Sequence, residues 1–83
     1  MSRWKDFIGC DPKICHGKPC FKINGKISRI MVFLVLEMLE AKESFEDILE
    51  AYPHLTSQHI QAALHYAVEM TKTGEMISLA NIS

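Results

Sequence analysis

A chain of 83 residues has room for one domain with one small core, since a protein this short buries only about 60% of the surface its unfolded form exposes. Its composition, 48% hydrophobic and 23% charged, is that of an ordinary globular protein and excludes a low-complexity or disordered chain. The net charge of -1 hides a division: residues 1–30 carry seven basic side chains against Asp6 and Asp11, a balance of +5, whereas in residues 31–70 Lys42 alone faces seven carboxylates, a balance of -6. Attraction to a polyanion therefore has to come from the first third of the chain.

The longest uninterrupted apolar run, Ile30 to Leu36, falls far short of the roughly 20 residues that span a bilayer. No apolar stretch follows the charges of Met1 to Asp6, as it would in a secretory signal. A soluble, cytoplasmic protein without membrane association is expected, and its three cysteines, an odd number, are expected to be reduced thiols.

Along the chain, Trp4, Phe7 and Ile8 lie among charges in a stretch too short and mixed to assign. Asp11-Pro12 and Gly17-Lys18-Pro19 are turn signals. Apolar and polar residues then alternate on both sides of Asn24-Gly25, the dipeptide best suited to a type I' turn, which predicts a hairpin over 18–30 with strands near 19–23 and 26–30. An isolated hairpin is barely stable in water, so this one must pack on helices or belong to a larger sheet.

Residues 31–42 read as a first helix, with Val32, Val35, Leu36 and Leu39 on one face and Met31, Leu34 and Met38 forming a second apolar stripe beside it. An arc this wide has two explanations: the second stripe is the contact of a homodimer, or the hairpin of the same chain covers it. Ser44 and Asp47 have the spacing of a capping box, Phe45, Ile48, Leu49 and Tyr52 follow at helical intervals, and Pro53 forces Tyr52 out of the helix. Thr56 is a second N-cap. Behind it a longer helix runs to about Thr73, with Ile60, Leu64, Ala67 and Val68 turned inward and Ser57, Gln58, Gln61, Ala62 and His65 outward. Gly74 suits the position just past that helix, and residues 75–83 form a tail. The expected fold is mainly α with a small β part, an N-terminal β-hairpin followed by a three-helix helix-turn-helix bundle, in a single domain over 1–83.

Cys10, Cys15, His16 and Cys20 form a Cys-x4-Cys-His-x3-Cys run, but the Cys-x2-Cys knuckle that brings two thiolates together from one tight turn is absent, so no metal is expected. The four histidines make no catalytic set with a nucleophile or a pocketed carboxylate, and His65 with Glu69 reads as a surface pair one turn apart. No enzyme, cofactor or small-molecule substrate is expected. The third helix is the recognition-helix candidate: Gln58, Gln61 and His65 are positioned for base edges, and glutamine can pair bidentately with adenine. Its first three turns hold no lysine or arginine, so Lys18, Lys22, Lys26 and Arg29 of the hairpin region would have to anchor phosphates.

Three stretches carry a family resemblance: Ile8-x-x-Asp11-Pro12-x-Ile14-Cys15-x-Gly17-Lys18-Pro19, then Ser28-Arg29-Ile30-x-Val32, and Glu43-Ser44-Phe45-Glu46-Asp47-Ile48-Leu49-x-x-Tyr52-Pro53-x-Leu55-Thr56 leading into Ile60-x-Ala62-Ala63-Leu64-x-Tyr66-Ala67. Over about residues 7–70 the chain resembles the domain-of-unknown-function family numbered 433. The resemblance implies a strand region followed by a homeodomain-like or winged-helix-like trihelical part, in bacterial or archaeal proteins regarded as antitoxins encoded beside PIN-like nuclease toxins. Where that family usually reads Gly-Thr-Arg-Ile-Pro-Val, this chain has Ile27-Ser28-Arg29-Ile30-Met31-Val32, with two extra residues around Asn24-Gly25, and Lys42 stands where glycine is common. The resulting expectation is a dimeric helix-turn-helix DNA-binding protein of antitoxin type with a nuclease toxin as partner; the alternative is a non-enzymatic protein-interaction module without nucleic-acid contact.

Overall fold

The computed structural model describes residues 4–72, so the readings made for Gly74 and for the tail at 75–83 lie outside the described residues. A 3-10 turn at Trp4–Asp6 leads into strand β1 (Ile8–Gly9), and a second such turn at Cys15–Gly17 precedes β2 (Cys20–Ile23) and β3 (Lys26–Met31). Three helices follow: α1 (Val32–Glu40), α2 (Phe45–Ala51) and α3 (Ser57–Lys72). No helix among these is long and apolar enough to cross a membrane.

The expected hairpin is present as β2 and β3, but it is part of a three-stranded antiparallel sheet in the order β1-β2-β3. The first strand is only two residues long, too short for any alternation to show, and it pairs Ile8 with Phe21 and Gly9 with Cys20. Asn24 and Gly25 have φ of 54° and 78°, the left-handed pair that a type I' turn requires, and they close the hairpin between Ile23 and Lys26.

Between the pairs Lys22↔Ile27 and Cys20↔Met31 the ladder is irregular, with β3 carrying two residues more than β2. Ser28 repairs the gap. Its hydroxyl donates to the Phe21 carbonyl at 2.8 Å and accepts from the Ile30 amide at 3.1 Å, so backbone groups that lose ladder partners at the bulge regain them from a side chain. The hydroxyl that this chain keeps in place of the family's threonine therefore has a backbone role.

The first helix begins one residue later than the periodicity suggests, because Met31 is extended (φ -76°, ψ 139°) and ends β3. At its other end Lys42 takes φ 67°, with its amide on Leu39 and the Glu43 amide on Met38, the two bonds of a Schellman motif. Lysine thus occupies a left-handed position that favours glycine, and the turn keeps the geometry a glycine would give. The capping box of α2 is complete: the Asp47 amide donates to Ser44 Oγ at 3.1 Å and the Ser44 amide to Asp47 Oδ2 at 3.3 Å. Tyr52 leaves the helical region (φ -128°, ψ 79°), as Pro53 demands.

Phe21, Ile48, Ile60, Val32, Val35 and Cys20 are fully buried, so the sheet and all three helices contribute to one core. Cys20 is disulfide-bonded, which corrects the expectation of reduced thiols at that position, while Cys10 is free and exposed. On α1, Met38 packs against this core and Leu34 is half-buried, leaving Phe33 as the exposed large apolar residue. Much of the wide apolar arc is thus covered within the chain.

The inner face of α3 also differs from the reading. Ala62 is buried, with His59, Ile60 and Ala63, whereas Leu64 and Val68 are 39% and 47% exposed. The cause lies outside the helix: the turn at Trp4–Asp6 and strand β1 pack on α3, with Trp4 against Tyr66 and His65 and Phe7 against His59, so α3 turns toward the N-terminal segment as well as toward α1 and α2.

Candidate nucleic-acid interface

The start of α3 is fixed by a histidine that the sequence pattern did not single out. His59 is 6% exposed and sits three residues after Thr56, at the capping-box position where glutamate is usual. The Thr56 amide donates to His59 Nδ1 at 3.0 Å, and the Thr56 hydroxyl lies at the same distance. A backbone amide can only donate, so Nδ1 carries the lone pair and Nε2 the proton. That Nε2–H donates to the Lys22 carbonyl at 2.8 Å, across to β2. Phe7 and Phe21 stand edge-on to the imidazole at centroid distances of 5.0 and 5.7 Å. Both ring nitrogens are satisfied and both neighbouring rings are apolar, so the imidazole joins cap, helix and sheet without leaving a buried polar atom unpaired.

This tie joins the helix start to the hairpin. Lys22 lies two residues before Asn24, roughly 7 Å along a strand, and Gln58 is the neighbour of His59. Gln58 and Gln61 are exposed, as are Lys26 and Arg29. No acidic residue occurs in the first turn of α3, in contrast to α2, where Glu46 and Asp47 occupy it. The arrangement is a helix with a basic two-stranded wing beside its N-terminus.

The remaining candidates are placed differently. Lys22 runs over β1, where a Cβ on Gly9 would come within 2.7 Å of its Cε, and its Nζ donates to the Lys5 carbonyl at 3.2 Å. Lys18 holds its ammonium 5.4 Å from the centre of the Phe33 ring. His65, one turn beyond Gln61 on α3, pairs with Glu69 at 3.3 Å, one turn on as expected, and its ring lies 6.3 Å from that of Trp4. Among the described residues no lysine or arginine is ion-paired with a carboxylate; His65–Glu69 is the pair present. Nor do three or more His, Cys, Asp or Glu side chains among them converge as a metal site would require.

Fold and site together define a small sheet-plus-trihelical module with its third helix pinned to a β-wing. The chain belongs to the family described as Protein of unknown function (DUF433), whose model matches residues 8–67. No curated protein and no solved structure matches the chain.

Proposed function

We propose that the chain is a dimeric, antitoxin-like DNA-binding protein of winged helix-turn-helix type. In this reading Gln58 and Gln61 meet base edges in the major groove, and Lys26 and Arg29 of the wing meet phosphates. One observation carries it: the 2.8 Å bond from His59 to the Lys22 carbonyl ties the start of α3 directly to the backbone of the basic hairpin. The unpaired state of the hairpin cations among the described residues supports it further, because their charge is not spent on the acidic helices. Masking of a nuclease toxin rests on the family resemblance, and dimerisation on the half-buried Met31 and Leu34, which stand outside the core cluster.

Fluorescence anisotropy with mixed genomic duplex fragments tests this directly. Binding at low salt should weaken steeply as salt rises, and replacing both Lys26 and Arg29 with alanine should lower the slope of log K against log salt by about 2. Alanine at Gln58 or Gln61 should relax sequence preference while leaving the slope unchanged. No anisotropy change at low salt would overturn the reading in favour of a protein-interaction module.

A further inference from the structure

The surface around Tyr66 is hollowed twice. One concavity, about 370 Å³, has Trp4, Ile8, Pro19 and Tyr66 in its wall together with Lys5 and Lys22. A second of about 370 Å³ is formed by Pro19, Val32, Phe33, Leu36 and Tyr66 with Lys18. Pro19 and Tyr66 belong to both, so the hollows adjoin across these two side chains. Among the described residues their walls are mostly apolar, the polar groups being the three lysines, the Cys10 thiol and the Tyr66 phenol, with no carboxylate, and Phe33 remains 42% exposed. Concavities of this volume fall at the lower end of the range of binding pockets.

We propose that the paired hollows dock an acidic amphipathic helix of a partner protein. Two apolar side chains one turn apart on such a helix would enter the two hollows on either side of Pro19 and Tyr66, the spacing that helix-in-groove recognition uses. Carboxylates on its flanks would meet Lys5, Lys18 and Lys22, whose ammonium groups have no carboxylate partner among the described residues. The apolar walls disfavour nucleic acid here, since a phosphate backbone gains nothing from them. The charge also disfavours basic partners. This surface uses none of Gln58, Gln61, Lys26 or Arg29, so the inference stands apart from the nucleic-acid reading and fails or holds separately.

The probe is a fluorescently labelled helical peptide bearing two leucines at i and i+4 with glutamates on its flanks, titrated with the full chain; a second peptide carries lysine for every glutamate. The acidic peptide should bind saturably, at least about tenfold tighter than the basic one, and weaken with salt. Phe33→Ser and Lys5→Glu should each weaken it by about fivefold or more while leaving the urea unfolding midpoint in place, since both side chains are exposed. Equal binding of the two peptides, no saturable binding of the acidic one, or insensitivity to both substitutions would overturn the proposal. So would light scattering that shows a dimer abolished by Phe33→Ser, because a second copy of the chain would then be the occupant.

Discussion

The first turn of α3 and its middle turns meet the rest of the molecule in different ways. At its start, His59 is buried between two phenylalanine rings and bonded at both nitrogens, to a cap on one side and a strand on the other. Two turns on, Leu64 and Val68 are exposed and Tyr66 stands between two open hollows. A satisfied buried polar group is directional, so displacing the helix there breaks several bonds at once. Apolar contact has no such preference. One helix therefore serves as a fixed strut at its start and, through Leu64 and Val68, as exposed surface further along.

The largest effect should come from breaking the fixed start. His59→Ala strands the Lys22 carbonyl and the Thr56 amide and opens a void between Phe7 and Phe21, with an expected loss of about 3 kcal/mol in urea unfolding. A loss below about 1 kcal/mol would mean that the imidazole does not hold the helix, and the contrast between the two stretches would collapse. In β3, the neighbour of the strand that the histidine holds, Ser28→Ala should cost about 1–2 kcal/mol by removing both bonds at the bulge, while Ser28→Thr, which keeps the hydroxyl, should be near neutral.

A turn outside both stretches provides a control of opposite sign. Lys42→Gly relieves a non-glycine residue at φ 67° and should stabilise the protein by up to about 1 kcal/mol, read as a higher unfolding midpoint. The smallest effect belongs to the open stretch. Burial, and secondarily Cys10, raises the pKa of the Tyr66 phenol. The folded chain then holds that proton more tightly than the unfolded chain. Its contribution is intact below the ordinary tyrosine value of about 10 and is lost as pH rises through the folded value. Ultraviolet titration should show a tyrosine ionising late, and Tyr66→Phe should remove it.

Features set by neighbours in sequence were legible without coordinates. Asn24-Gly25 dictates its turn, Ser44 and Asp47 cap α2, and Pro53 ends it, because each effect acts within four residues. The facing of α3 was not legible, because Trp4 and Phe7, more than fifty residues earlier in sequence, decide which side is covered. Periodicity placed Leu64 and Val68 inside and Ala62 outside, and packing by that segment reversed them. His59 did leave a trace, the Thr56-x-x-His59 spacing of a capping box with imidazole in place of a carboxylate, but its strand partner lies 37 residues away. Of the candidate site, Gln58, Gln61, Lys26 and Arg29 are exposed, as their polar patterning suggested. Lys18, Lys22 and His65 are directed by aromatic and backbone neighbours that composition cannot reveal.

The rings of Trp4 and Phe7 have a practical corollary for anyone trimming this domain. Both precede residue 8, where the family match begins. A fragment excised at the family limits would keep His59 and Tyr66 but discard the aromatic lid over each, exposing the imidazole that pins the wing and widening the hollow beside Tyr66. Limits drawn from shared sequence would thus cut through the physical unit, whose opening residues act as its closing piece.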